Sequence, residues 1–447
     1  MPNRPRTQIF MASTLYGAAT LAAALDADRF PPADRRLLLL SNNAATPETT
    51  ASLDTMPGFD RLRGRFDRVL SWNETISPFH PGGWSPRPDD APLWERYLRL
   101  LWGLGDSHVE LVVESIQVNP ALALAQVFPG APIDVYADGL MSYGPTRNKL
   151  DPLIGTRIGR LLHLDLVPGL SPLLLTEFGV PAETVPTDAF LKVLSELADV
   201  SDELDVPNGA ALLLGQYLSA LGILTPEEEE ELHVRMLQGT VARGHREIVF
   251  KPHPSAPARW SRLLEREAEK LDIELTVLDS PVLAEVLYQR VRPALVVGCF
   301  STALLTAATF YDLPTARTGT GLLLERLTPY QNSNRIPVTI VDALVDDLGD
   351  AKPHKPHGDI GALVAAVGYA MQHQIYPTLR PAAERYLAAH LDQHTWRYFK
   401  RRRLTALALP GAIPSQLAFI PRNATVRKVA RRARAVQRRI KKRAVFG

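Results

Sequence analysis

The chain has 447 residues, 50 Lys+Arg against 48 Asp+Glu and a single cysteine, with 46% hydrophobic and 22% charged residues. That length makes two large domains the default, and that composition builds a core and excludes a globally disordered chain. The lone Cys299 excludes an internal disulfide and a thiolate zinc cluster.

The net charge of +2 averages two unlike parts. Residues 397–447 hold 16 Lys+Arg and no acidic residue, leaving 34 against 48 in residues 1–396, a net of −14. The first 17 residues contain too short an apolar run for a signal peptide. The uncharged run Asn208 to Pro226 is broken by Asn, Gln, Ser and Gly. It falls short of the roughly 20 apolar residues a membrane-spanning helix needs. The expectation is a cytoplasmic protein without a spanning helix.

In chain order, QIFMAS (8–13) predicts a strand and YGAATLAAAL (16–25) an Ala-rich helix. Strands follow at 35–42 and 68–72, an amphipathic helix at 92–105, a strand at 108–116, a helix at 121–128 and a strand at 132–139. Residues 140–207 are rich in Leu and Pro and less periodic, apart from a helix expected at 186–202. The alternation then resumes with a strand at 210–219 and a helix at 225–237. That helix has Thr225 as N-cap, Pro226 in the first position and acidic residues in the first turn. A strand and loop cover 247–254, a helix 257–271, a strand 275–279, a helix 281–291, a strand 294–300 and a helix 301–310.

Continuous apolar strands separated by helices predict parallel sheets covered on both faces. The fold class is therefore α/β, with two doubly wound, Rossmann-like domains. Their limits are set at 1–195 and 196–396, followed by the basic segment 397–447. Ligands in such sheets bind beyond the carboxyl ends of the strands. Three polar clusters stand there: Asp138-Gly139, Lys251-Pro252-His253-Pro254 and Ser301-Thr302. One cleft between the domains would receive all three.

Each cluster has a plain reading and a chemical one. Ser301 and Thr302 open a helix, where free N–H groups and two hydroxyls suit a phosphate; an ordinary N-cap has the same sequence. The prolines of KPHP stiffen the loop that carries His253, which can donate a proton or, with Lys251, place positive charge beside a phosphate. A loop histidine bonded to backbone is the alternative. Asp138 can accept a proton from a hydroxyl, with Gly139 allowing close approach; an Asp-Gly turn is common on its own. Together a base, an acid and a phosphate site describe glycosyl transfer from a nucleotide sugar without a covalent intermediate.

At these residues the chain resembles the bacterial α-2,8-polysialyltransferase family, sialyltransferases of GT-B fold. Its acidic-acidic-Gly, His-Pro and Ser/Thr-pair motifs appear here in order as Ala137-Asp138-Gly139, His253-Pro254 and Ser301-Thr302. The opening STLYGAATLAAAL (13–25) resembles the family's first strand, loop and helix. The resemblance implies CMP-sialic acid as donor, inversion at the anomeric carbon and a glycan acceptor. It makes Asp138 the general base and His253 the general acid or cationic stabiliser. Ser301 and Thr302 would hold the CMP phosphate, with Lys251 and Pro254 beside it and Gly139 on the acceptor side. Glu285 stands where such folds often carry an acidic ribose partner, though a solvated helix residue fits the same sequence. Gln216 and Ser219 are placed along the donor pocket. The first acidic position of the motif is Ala137, so a second carboxylate beside the base is expected to be missing.

No metal or other cofactor is required by this reading. The 11 histidines show no HExxH pattern, and Asp26-Ala27-Asp28 reads as a helix terminus. In the C-terminal segment, Val426, Val429, Ala433, Val436 and Ile440 fall on one helical stripe among Arg427, Lys428, Arg431, Arg434, Arg438 and Lys442. A basic amphipathic helix suits an anionic membrane surface, here the inner face of the cytoplasmic membrane. A basic surface also suits an anionic acceptor such as growing polysialic acid. Two rivals stand beside the sialyltransferase: a transferase of another CMP-sugar such as CMP-Kdo, and a non-enzymatic nucleic-acid-binding protein using its basic segment. The acidic body and the lack of interleaved aromatics count against specific nucleic-acid binding.

Overall fold

The computed structural model describes residues 4–199, 206–253, 259–350 and 359–412. Its strands form two parallel sheets. The first contains β1 (Arg6–Ala12), β2 (Arg35–Leu40), β3 (Arg68–Ser71), β4 (His108–Glu114), β5 (Ile133–Ala137), β6 (Ile158–Leu164) and β7 (Ala182–Val185), in the order β3-β2-β1-β4-β5-β6-β7. The second contains β8 (Ala211–Leu214), β9 (Glu247–Lys251), β10 (Glu274–Val277), β11 (Leu295–Gly298) and β12 (Thr315–Arg317), in the order β10-β9-β8-β11-β12. The two orders are equivalent. Each sheet winds outward from its first strand in both directions, so each has a switch point, between β1 and β4 in one and between β8 and β11 in the other. This is the doubly wound, two-sheet α/β architecture of the GT-B class.

Apolar runs dictate the central strands. Leu37 to Leu40, Leu212 and Leu213, and Val296 and Val297 are buried on both faces of their sheets. Side chains alternate along each strand. Phe10, Leu38, Val112 and Tyr136 join a core that continues into the second sheet through Leu212, Phe250 and Val296. Ile9, Leu37, Val135 and Ala137 face the other way, into a core with Trp72, Trp84 and Trp102.

Three expectations change. The strand expected over 210–219 ends at Leu214. The buried Glu229 accepts hydrogen bonds from the backbone N–H of Leu218 and Ser219, both at 2.7 Å, and these bonds turn residues 215–224 into a loop. The irregular middle holds β6 and β7, and β12 follows the second alternation. Their polar residues are matched within the sheet: Arg160 on β6 pairs with Asp134 on β5 at 2.8 Å and Glu183 on β7 at 3.0 Å. Third, the basic segment starts as part of the folded body. Arg397 and Tyr398 bond the fully buried carboxylate of Asp342, at 3.0 and 2.8 Å, and Phe399 and Leu404 are buried. Eleven of its 16 basic residues, and the amphipathic stripe, lie in 413–447, outside the described residues.

The two sheets are joined at several points. Thr309 Oγ1 donates to the Leu166 carbonyl at 3.0 Å. The helix Ile360–Gln372 and the turn after it return to the first sheet, where Tyr376 Oη donates to Glu177 at 2.6 Å and accepts from Thr146 N at 2.9 Å. Among the described residues no helix is long and apolar enough to cross a membrane.

Candidate active site

The carboxyl ends of β1, β4 and β5 meet at the first switch point. Thr14 caps the helix Leu15–Asp26, its Oγ1 accepting from Gly17 N at 2.9 Å. Asp138 follows β5 and rests against this helix start. Its Oδ2 lies 3.2 Å from where a Cβ on Gly17 would sit, with Tyr136 Oη and Thr14 Oγ1 at 3.0 and 3.1 Å. Gly17 therefore makes the room in which the carboxylate is housed. Tyr136 Oη donates to the Met11 carbonyl at 2.9 Å.

Asp138 is half-buried, and its pKa is pushed up to about 7. Loss of surrounding water raises it most, the Glu114 carboxylate raises it further, and Glu285 adds to this. A carboxylate that titrates near neutrality accepts a hydroxyl proton better than an ordinary, more acidic one.

A second carboxylate is therefore present beside Asp138, contrary to the expectation from Ala137. It is Glu114, the last residue of β4, paired in register with Tyr136. Position 137 points into the opposite core, so a side chain there would not face Asp138. The sequence reading also missed Tyr16. Its hydroxyl is buried, has no hydrogen-bond partner among the described residues, and feels the charges of Glu285 and Asp138. The signals for both were faint: Glu114 closes an apolar strand at its carboxyl end, and Tyr16 lies in the STLYG segment.

The second switch point carries the other clusters. Ser301 is the N-cap of the helix Thr302–Tyr311, with its Oγ accepting from Ala303 N at 3.3 Å. Thr302 faces the first sheet: its Oγ1 accepts from Leu140 N at 3.4 Å and lies 3.2 Å from a Cβ built on Gly139. The Asp138-Gly139 and Ser301-Thr302 motifs thus meet directly. Because Thr302 accepts from Leu140, its own O–H is directed elsewhere as a donor. Gln216, at the end of β8, braces this edge by accepting from Phe300 N at 2.8 Å.

His253 follows β9, two strand spacings from β11, or about 10 Å. Its ring is 6.2 Å from that of Tyr217, which in turn packs on Trp260 at 5.5 Å. Loss of water near the ring and the adjacent Lys251 both lower the His253 pKa. Lys251 is buried, and its Nζ donates to the Ser280 carbonyl at 3.1 Å. Burial brings its pKa down to about 8 against the opposing pull of Glu285 and Asp279. Glu285 is 3% exposed, so it is no solvated helix residue. Its Oε1 accepts from Thr306 Oγ1 at 2.8 Å, and burial raises its pKa. Ser219 is held through its backbone by Glu229. Pro254 lies outside the described residues.

Asp26 of the Asp26-Asp28 pair is bound by Arg65 at 2.6 Å, a structural contact. Among the described residues no group of three or more His, Cys, Asp or Glu side chains is arranged to hold a metal ion. The arrangement as a whole sets a carboxyl titrating near neutrality against a helix N-terminus, with a lysine and a histidine on the same sheet edge as that helix.

The profile of the alpha-2,8-polysialyltransferase family matches residues 8–320. Comparison with curated proteins finds no match. Among solved structures the chain is similar to the GT-B domain of a sialyltransferase from Photobacterium damselae, with 11% identity, a TM-score of 0.38 and coverage of 75% of this chain and 96% of that one. It is similar to a Vibrionaceae Photobacterium 2,6-sialyltransferase in complex with CMP and lactose, with 13% identity, a TM-score of 0.41 and coverage of 75% of each chain. It is also similar to UDP-GlcNAc 2-epimerase from Methanocaldococcus jannaschii, with 12% identity, a TM-score of 0.44 and coverage of 80% of this chain and 96% of that one. The profile spans most of the chain and takes in all three strand-end motifs, and the protein belongs to the alpha-2,8-polysialyltransferase family of glycosyltransferases.

Proposed function

We propose that the protein transfers sialic acid from CMP-sialic acid to a glycan hydroxyl in one inverting displacement, with protein groups rather than a divalent cation taking up the leaving charge. The observation that carries this is the direct meeting of Asp138-Gly139 with Thr302 across the two sheets. Asp138 takes the acceptor proton as the acceptor oxygen bonds to the anomeric carbon and the bond from that carbon to the phosphate oxygen breaks. The departing CMP phosphate is received by the N–H groups and hydroxyls at Ser301-Thr302, by Lys251 and by a proton from His253. Charge on the phosphate would raise the pKa of both groups, favouring the protonated forms against the lowering effect of burial. Inversion follows from a single displacement. Family membership sets aside the nucleic-acid-binding rival; CMP-Kdo remains the alternative donor.

The acceptor would lie along the carboxyl ends of the first sheet. A cavity of about 930 Å³ opens there beside β2 and β3, three strand spacings or about 14 Å from β5. Its lining sets Glu48, Asp54 and Glu74 against Arg63, with the exposed ring of Phe79 at the rim. That balance favours an uncharged stretch of glycan at this point. An anionic acceptor, such as a growing polysialate, would instead meet the basic segment 413–447, which would also hold the enzyme on the inner face of the membrane during capsule or surface-glycan synthesis.

The test is CMP release from CMP-sialic acid with neutral and sialylated acceptors. Asp138→Ala and His253→Ala each should lower turnover by 10²-fold or more. Near-normal turnover in either variant overturns its role. Release from CMP-Kdo but not from CMP-sialic acid overturns the donor.

A further inference from the structure

Glu114 is marked by no motif, yet it is the most firmly held carboxylate near the base. Its Oε2 accepts two hydrogen bonds from Ser13, the residue after β1, from N at 3.1 Å and from Oγ at 2.6 Å. It is the register partner of Tyr136, so it shares the sheet face of Tyr136 and Asp138. Tyr136 Oη and Asp138 Oδ2 both lie against Gly17. Glu114, Tyr136 and Asp138 thus line one side of the first switch point.

We propose that Glu114 is a positioning residue for the base: a fixed negative charge, clamped by Ser13, that makes Asp138 the carboxyl to carry the proton received from the acceptor. The inference rests on the reading of Asp138 as general base. Burial raises the Glu114 pKa, and the two hydrogen bonds from Ser13 oppose that rise by favouring the ionised form. Asp138, raised to about 7, takes a proton arriving at the pair. The other groups around Asp138 do not replace this effect. Tyr136 on its own strand and Tyr16 on the helix Leu15–Asp26 stay neutral, their pKa values raised by burial. Glu285 acts from the second sheet with a smaller influence than Glu114, and Lys251 beside it opposes its charge. The start of the helix Leu15–Asp26 acts in the opposite sense, favouring ionised Asp138. Burial supplies the largest part of the rise that brings Asp138 near neutrality, and the charge of Glu114 adds to it against the pull of the helix.

Glu114→Gln tests this. The amide keeps an oxygen for Ser13 and removes the charge. The acid limb of kcat/KM against pH, read as CMP release, should move about one unit to lower pH, as expected for loss of a neighbouring like charge. Turnover on the plateau should fall roughly three- to tenfold, because a weaker base remains. The carbon-13 shift of the Asp138 carboxyl in the ligand-free enzyme should titrate lower by the same amount, and this readout needs no substrate. A merely structural role would lower the melting temperature or kcat and leave both pH midpoints in place; that result overturns the inference. If Asp138→Asn retains turnover, the reading of the base fails. If Asp138→Asn is inactive and the Glu114→Gln midpoints do not move, the inference about Glu114 alone fails.

Discussion

Gly17→Ala separates the housing of the Asp138 carboxyl from the base role proposed for it. The new methyl would lie 3.0 Å from Tyr136 Oη, 3.1 Å from Thr14 Oγ1 and 3.2 Å from Asp138 Oδ2. Each of these is closer than ordinary contact, and none is a backbone atom, so the side chains must move by a few tenths of an ångström. Two of them are tied, Tyr136 to Met11 and Thr14 to Gly17 N, which leaves Asp138 to yield most. For stability the effects partly cancel. Alanine gains up to about 1 kcal/mol over glycine inside a helix, while overpacking costs about 1–3 kcal/mol. The net change should be a loss of no more than about 2 kcal/mol. Catalysis has no such compensation, since a small misplacement of a reacting group costs on the order of tenfold to a hundredfold. The assay pairs thermal unfolding with CMP release from CMP-sialic acid. Gly130→Ala serves as control, because nothing lies within 4 Å of its added Cβ. Turnover of Gly17→Ala equal to that control would refute both the crowding argument and the placement of the base at this helix start.

The raised pKa of Asp138 has a consequence for stability. The folded protein holds a proton up to about pH 7 that the unfolded chain releases near the ordinary value of about 3.9, so this group's contribution to stability is present at low pH and lost as pH rises between those values. Asp138→Asn cannot ionise, so it should melt higher than the wild type at pH 8 and lose that advantage by pH 4; an advantage independent of pH would contradict the shift. Thr302→Val removes the hydroxyl that joins the sheets through Leu140 N and should cut kcat/KM at least tenfold, with Thr302→Ser recovering most of it. Equal activity in the Val and Ser variants would rule out a role for that oxygen. Asp342→Ala strips the shared partner from Arg317 at 3.3 Å and Arg397 at 3.0 Å and should destabilise by about 3 kcal/mol, read by denaturant unfolding.

The legible parts of the sequence were those set by local pattern. Runs such as RRLLLL and LVVG are buried on both faces, and that is written as continuous apolar sequence. β7 and β12 were not legible. β7 is a four-residue edge strand, mostly solvent-facing, and β12 is the three-residue TAR, whose arginine is held by Asp347 at 2.6 Å. A short strand with a satisfied charge looks like loop. The end of β8 was misread because its stop signal is Glu229, on the next helix. At the site, Asp138, His253 and Ser301-Thr302 stood out because each follows an apolar strand. Glu114 and Ser13 also stand at the ends of apolar strands, but no motif marks them, and their pairing spans about a hundred residues.

The brevity of those motifs has a physical basis. Both sheets wind outward from a central switch point, and the carboxyl ends there diverge, which leaves a crevice in each. The first crevice holds Ser13, Glu114 and Asp138 on three adjacent strands, with the start of the helix Leu15–Asp26 behind them. The second holds Gln216 and Ser301-Thr302, again with a helix start behind them. Closing one crevice on the other brings a helix-backed carboxylate against a helix-backed hydroxyl pair, and Leu140 N and Thr302 Oγ1 are the atoms that touch. The topology therefore supplies the alignment that a longer motif would otherwise have to encode. Two or three residues per strand end then suffice to choose the chemistry. The residues that tune it, Glu114 and Gly17 among them, are dispersed through the strands and helices of the fold.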